Sequence, residues 1–298
     1  MSKISEKLNI ISSAKNDIKT AIENKGVSVG NIGIQEYANK IDEMQVATPP
    51  AKGFIINEFD SDGYATDVSI VGMTSIPDYA FASYNSNYPN LLAKKLINVN
   101  LPSDFTSLGK RAFYYCTTLE SINLSNNITS IPDYAFYYCG KLALTNLPSN
   151  ITSIGTSAFQ NCTNLALTEL PSNITSIGTS TFQNCSNLAL TSLPEGITKL
   201  NSTVFYSCKN LFEITCNGLI AEIGNQAFDN CSNLAKFVLP NITKVPTLQQ
   251  TSAFNNTPIK NGTGYIYVPD ALVDSFKSAT NWSTYANQIK GLSELPTE

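Results

Sequence analysis

The chain has 298 residues, a formal charge of −4 at pH 7, no histidine and one arginine, Arg111. Without histidine, every mechanism that needs an imidazole base is excluded, and an acidic chain with one arginine does not offer the clustered basic face that nucleic acid selects. No run of about 18 apolar residues occurs, so the sequence reads as having no membrane span.

In chain order, the first predicted element is a helix whose Ile4, Leu8, Ile11, Ile18 and Ile22 form a heptad-like stripe, broken by Lys15 and stopped at Gly26. A second short helix over 34–44 carries Tyr37 and Ile41 on one side. Two readings are open: a hairpin folded on itself or on the next unit, and a docking or self-association segment. The second is preferred because a narrow seam over about 23 residues makes a poor monomer. Residues 1–44 are therefore expected to be a helical docking and oligomerisation module, followed by a Pro-Pro linker over 45–53. Residues 14–27 followed by 37–41 resemble a short N-terminal module of bacteriophage tail and fibre proteins. That resemblance implies assembly with other virion proteins, with a trimer as the expected state. Residues 1–7 are charged and no apolar stretch follows, so no secretory signal is read, which suits a virion protein assembled in the host cytoplasm.

From there the sequence repeats. Phe113, Phe136, Phe159, Phe182, Phe205 and Phe228 are each 23 residues apart, and each has a cysteine three residues on: Cys116, Cys139, Cys162, Cys185, Cys208 and Cys231. Whole phrases travel with the period, as at 147–157 and 170–180, which means stacked units. One unit reads Ile-Thr-Ser-Ile, a variable turn, Ala-Phe-x-x-Cys-x-x-Leu, and an alternating stretch such as Ile122 and Leu124. Helical spacing puts Ala135, Phe136, Cys139 and Leu142 on one side and Tyr134, Tyr137 and Tyr138 on the other. The alternating stretch is a half-buried strand, so the expected fold is an α/β repeat solenoid with one continuous parallel sheet over 54–256. Phe81 anchors an earlier coil, ahead of an insertion around 83–95, and Phe254 anchors the last.

The Ile-Thr-Ser-Ile-Gly-x-x-Ala-Phe-x-x-Cys-x-x-Leu phrase resembles the BspA-like (Treponema-type) leucine-rich repeats. The resemblance implies a curved solenoid, a parallel sheet on its concave side, and a surface-exposed interaction role. Three coils depart from the pattern with Leu-Ala-Leu-Thr-x-Leu at 142–147, 165–170 and 188–193.

Six of the seven cysteines hold one repeat position, and Cys216 stands where sister coils have leucine. A ladder of buried free thiols is expected, because side chains on stacked coils run parallel rather than toward each other. With no histidine and no Cys-x-x-Cys, no metal site is read. The Asn-x-Ser/Thr triplets at Asn127, Asn150, Asn173, Asn184, Asn230 and Asn281 read as duplicated turn asparagines, and the stretch from Asp60 to Gly63 as a turn rather than a calcium loop. Residues 257–298 are expected to cap the array, with a strand over 265–269, a helix over 270–278 opened by an Asp cap, and Trp282, Tyr285 and Ile289 covering the last coil.

No catalytic residue, cofactor or phosphate loop is read, so the expected function is non-enzymatic binding. The main expectation is a bacteriophage virion fibre or tail-associated adhesin whose repeats bind a host-surface protein or glycan. The alternative is a bacterial cell-surface adhesin. Two surfaces are candidates. Tyr114, Tyr115, Tyr134, Tyr137 and Tyr138 project from adjacent coils and either contact a ligand or merely cover coil edges. Leu144, Leu167 and Leu190 form an outward apolar column if Thr145, Thr168 and Thr191 face inward; a local bulge would instead turn the leucines into the core.

Overall fold

The computed structural model of the chain describes residues 53–61, 64–83 and 95–296. The expected docking stripe of Ile4, Leu8, Ile11, Ile18 and Ile22 lies outside the described residues, as does most of the linker.

The chain is a repeat solenoid whose coils have three sides. The first side begins with β1 (Gly53–Phe59), β2 (Ala65–Val71), β3 (Asn98–Asn100) and β4 (Ser121–Asn123), joined in that order. β1 runs antiparallel to β2, and the pairs after it are parallel. The second side carries β5 (Ser130–Ile131), β6 (Ser153–Ile154) and β7 (Ser176–Ile177) from the Thr-Ser-Ile phrase. Further on come β8 (Ser192–Leu193), β9 (Lys199–Leu200), β10 (Glu213–Cys216), β11 (Glu222–Ile223), β12 (Lys236–Val238) and β13 (Thr247–Leu248). Of these, β8, β10 and β12 continue the first side and β9, β11 and β13 the second. The first side then ends in β14 (Tyr265–Val268) and β15 (Ile289–Gly291).

The sheet of the first side is not continuous, contrary to expectation. Over 142–148 and 165–171, two of the Leu-Ala-Leu coils hold no strand, and β4 and β8 belong to separate sheets.

The third side also differs from the helical turn expected there. Around each phenylalanine from Phe113 to Phe228 run two tight turns, such as Tyr114 N–H to the Arg111 carbonyl and Cys116 N–H to the Phe113 carbonyl, both 3.1 Å. Residues two before and two after the phenylalanine take left-handed backbone, as at Tyr134 (φ 58°) and Tyr138 (φ 60°). This conformation aims their N–H groups along the stack: Tyr134, Phe136 and Tyr138 donate to the carbonyls of Thr156, Ala158 and Gln160 in the next coil at 2.8 to 2.9 Å. The third side is thus held by a hydrogen-bond ladder without any strand.

Inside, the phenylalanines stack face to face. Consecutive rings from Phe81 to Phe254 lie 5.2 to 5.9 Å apart and within 13° of parallel. All are fully buried, each burial contributing about 1.5–3 kcal/mol. Beside them, each repeat cysteine donates its S–H to the phenylalanine carbonyl of the preceding coil, as from Cys139 to Phe113 at 3.1 Å and from Cys162 to Phe136 at 2.9 Å. The coils approach so closely that a Cβ on Gly178 would sit 2.4 Å from the Thr156 backbone nitrogen.

Both described ends are closed. Phe54 of β1 packs edge-on against Phe81 at 5.2 Å. At the other end, α1 (Pro258–Asn261) is capped by the Thr257 hydroxyl and α2 (Val273–Ser278) follows a 3-10 turn. Trp282 and Tyr285 are buried over Phe254, with the indole N–H donating to the Pro246 carbonyl at 2.8 Å. Asp270 does not cap this helix as expected; its carboxylate accepts from the Ser293 hydroxyl at 2.6 Å and so ties down the turn that follows β15.

The seven cysteines are free and buried. Burial pushes every one of these thiols up, that of Cys231 to about 12, so little reactive thiolate exists at neutral pH. Denatured protein should therefore take up seven equivalents of a thiol reagent without prior reduction, while folded protein reacts at least tenfold more slowly. Fewer equivalents after unfolding would reveal disulfides and contradict the ladder.

Candidate functional site

The left-handed turns push the side chains at their corners outward, and at the N-terminal end of the array these corners are aromatic. Three columns run across neighbouring coils. In the first, the Arg111 guanidinium lies 5.4 Å from the Tyr79 ring centre and 4.4 Å from that of Tyr134. In the second, Tyr114 stacks on Tyr137 at 4.9 Å and 8°. In the third, Tyr115 stacks on Tyr138 at 4.6 Å and 4°. Edge and tilted contacts join the columns, among them Tyr134 to Tyr137 at 5.7 Å and Tyr137 to Tyr138 at 4.8 Å.

All five tyrosines named from sequence are thereby in one patch. Sequence reasoning missed Tyr79 and Arg111, although both hold the repeat position of Tyr134, two residues before the phenylalanine. Alignment of the coils on that position would have found them.

The patch has open and shielded parts. Tyr79 and Tyr138 are the exposed rings, at 45% and 38%, and the other members are half-buried. Burial, then neighbouring tyrosines, raises the hydroxyls of Tyr114 and Tyr137, so these rings are neutral at physiological pH. Alongside, Lys110 and Asp133 form an exposed ion pair at 3.0 Å. Burial alone would raise the Asp133 carboxyl, but hydrogen bonds from Lys110 and the Thr156 N–H hold it below its usual range. The Arg111 guanidinium has no ion pair or hydrogen bond among the described residues; two ring faces are its neighbours.

Sister coils cover the same edges without this set of tyrosines. In the coils at 157–161 and 180–184 the same corners are filled by Ser157, Gln160 and Asn161, and by Ser180, Gln183 and Asn184. Asparagine tolerates left-handed backbone, whereas a bulky side chain there costs about 1–2 kcal/mol. Stacking of each aromatic pair returns about 0.5–1.5 kcal/mol, so the tyrosines leave the coil with little net gain.

The outward leucine column is not formed, and the alternative that turns these leucines toward the core is what the structure shows. Leu167 and Leu190 are buried at 0% and 1%, Leu144 is half-buried against the core, and Thr145, Thr168 and Thr191 are exposed. Side-chain alternation counts forward from Leu142, Leu165 and Leu188 rather than backward from Leu147, Leu170 and Leu193. Two residues, such as Thr168 and Glu169, then both point outward before the next inward leucine. The neighbouring coils follow this shifted register, with Ala166 N–H donating to the Leu144 carbonyl and Ala189 N–H to that of Leu167, both at 3.0 Å. Burying leucine is favourable, while the expected arrangement would have buried a threonine hydroxyl.

The sequon asparagines have structural partners. The side-chain N–H groups of Asn127, Asn150 and Asn173 donate to carbonyls one coil back at 2.7 to 3.1 Å. Those of Asn184 and Asn230 reach Asn161 and Ser207, and that of Asn281 reaches the Leu248 carbonyl. Among the described residues there is no group of three or more potential metal ligands, and no helix is long and apolar enough to cross a membrane.

The model of the BspA-type leucine-rich repeat region matches residues 74–211 and 167–278, in six copies. The chain belongs to that family. Among solved structures, it is similar to a leucine-rich repeat protein of T. pallidum, at 26% identity over 63% of this chain and 90% of that one, with a TM-score of 0.48. A leucine-rich cell surface protein of Faecalibacterium prausnitzii shares 17% identity over 82% and 93% of the two chains, with a TM-score of 0.29. The pneumococcal vaccine antigen PcpA shares 15% over 78% and 80%, with a TM-score of 0.39. No curated protein matches the chain. Residues 14–41, which carried the bacteriophage resemblance, lie outside both the family match and the described residues.

Because Leu167 and Leu190 are core residues, replacing either with serine should cost about 2–5 kcal/mol and lower the melting temperature by several degrees. Replacing Tyr138 with the asparagine of its sister coils should shift stability by less than about 1 kcal/mol, read by denaturant titration. A large loss for Tyr138→Asn would show that the tyrosine stack is structural.

Proposed function

We propose that the chain is a non-enzymatic binding protein of adhesin type that acts at a bacterial surface and touches its ligand through the tyrosine face. The observation that carries this reading is the set of aligned tyrosines on adjacent coils, set around Arg111 at positions that the coils at 157–161 and 180–184 fill with serine, glutamine and asparagine. Flat amphipathic rings are the side chains that most often dominate recognition surfaces. Membership of the repeat family supports surface display, since the resemblance to BspA-like proteins implies an interaction role.

The virion reading rests on residues 14–41 alone and is kept as the second. In it, residues 1–44 dock the chain to a particle or trimerise it through Ile4, Leu8, Ile11, Ile18 and Ile22, residues 54–256 bind, and 257–298 cap the array. Deleting residues 1–50 should leave a folded repeat array and convert any oligomer to a monomer in light scattering. An unchanged oligomer would remove the assembly role from this segment.

Adherence tests the tyrosine face directly. Beads coated with the full chain should adhere to a panel of bacterial and animal cells, and Tyr137→Ala with Tyr138→Asn should reduce adherence at least tenfold, as for loss of a binding hot spot. Adherence confined to one bacterial host would favour the virion reading. Equal adherence by wild type and variant would sink the tyrosine face as the contact surface.

A further inference from the structure

We propose that the tyrosine face binds an acidic polysaccharide, with Arg111 holding a sugar carboxylate and the exposed rings of Tyr79 and Tyr138 stacking on neighbouring sugar rings. This inference rests on the reading that the tyrosine face is the contact surface, and it specifies the chemistry of what is contacted.

Arg111 is the first support. It is the only arginine of the chain, it stands in left-handed backbone at φ 56°, and its guanidinium is held between two aromatic faces. The rings neighbour it along the stack, while its N–H groups hold no hydrogen bond or ion pair among the described residues. A planar fork of N–H donors matches a carboxylate in two parallel hydrogen bonds, which a point-charge lysine does not reproduce. The nearby cation Lys110 is ion-paired to Asp133, with Asp78 close to it, and although Asp133 also feels the charge of Arg111, the guanidinium itself has no ion pair or hydrogen bond among the described residues.

The arrangement of the rings is the second. Within each column the tyrosines are nearly parallel and 4.6 to 4.9 Å apart, so their inner faces are used up against each other. What remains is the outer faces at the column ends and a comb of ring edges and hydroxyls, with Tyr79 and Tyr138 as the most exposed rings. A protein anchor residue normally seeks a desolvated pocket, whereas a sugar offers apolar C–H faces alternating with hydroxyls. The comb offers the matching alternation along a ledge three coils long, the geometry of an extended polymer lying across the stack.

The backbone is the third. Tyr79, Arg111, Tyr115, Tyr134 and Tyr138 all occupy left-handed positions at φ 56 to 61°, where a long or aromatic side chain is unfavourable. Strain at a bulky residue points to a use for that side chain beyond the fold. Aromatic and arginine side chains at these positions are confined to the patch, whereas later coils place Ser157, Asn161, Thr203 and Gln226 there.

The test measures binding of the full chain to polygalacturonate and hyaluronan, both uronate polymers, with neutral dextran as the comparator. Wild type should bind both uronates at least tenfold more tightly than dextran, weakening as salt rises. Arg111→Ser, which installs the residue of sister coils, should lower uronate affinity about tenfold or more, the size of a lost charge-assisted pair, and leave dextran unchanged. Tyr115→Asn with Tyr138→Asn should weaken both ligands while the melting temperature is retained. The proposal is overturned if wild type binds neither uronate, if dextran binds equally well, or if Arg111→Ser keeps its uronate affinity within twofold. Tyrosine-dependent adherence to cells without uronate binding would remove the polysaccharide and leave the contact surface standing; loss of both would remove both.

Discussion

Stacking of one coil on the next is the constraint on which everything else depends. The phenylalanine ladder sets the spacing at 5.2 to 5.9 Å, and backbone hydrogen bonds on all three sides must match it. A coil of about 23 residues cannot bury an apolar face by itself, so its stability comes from the neighbours above and below. Cysteine suits the position beside the ring because it is small, apolar, and still able to donate weakly to a phenylalanine carbonyl one coil back. Closer spacing elsewhere requires glycine, since at Gly178 any side chain would enter the backbone of the preceding coil.

The same constraint explains where variation is permitted. On the third side the ladder is made by backbone N–H groups that reach the next coil only when the corner residues adopt left-handed angles. Their side chains stay out of the apolar core and meet their counterparts on adjacent coils, as Asn184 meets Asn161 and Asn230 meets Ser207. Asparagine and serine fill half of these corners at low conformational cost. Tyrosine and arginine fill them only toward one end, where their contacts with one another offset the backbone strain.

Much of this was legible in the residues because a strict period needs no tertiary information to be seen. Phe113 through Phe228, with their cysteines, are enough to predict stacked coils, a buried thiol ladder and the need for caps, and Trp282 and Tyr285 are found where bulk was expected. Two local readings went astray for a shared reason. Alternation along Leu165-Ala166-Leu167-Thr168 has no marked origin in the sequence, so the count taken from Leu170 put Thr168 inside when neighbouring coils favour Leu167. Likewise Ala-Phe-x-x-Cys fits helical spacing, yet the between-coil ladder bends it into two turns with left-handed corners. Tyr79 and Arg111 escape that reading because it rests on the tyrosine-rich coils, although both share the repeat position of Tyr134.

In a nearest-neighbour array, a change at one outward corner alters the energy of two interfaces at most and leaves the remaining coils intact. A surface can therefore be specialised on a few adjacent coils without redesign of the core, which a globular fold with one shared interior rarely allows. The contrast between Tyr138 and Asn161, equivalent corners on the same ladder, isolates that specialisation: the backbone is the same, the hydrogen bond is the same, and the outward chemistry differs. Where backbone and core are held constant by repetition, the side chains that depart from the repeat at a conformational cost are the ones to which function is most directly attached.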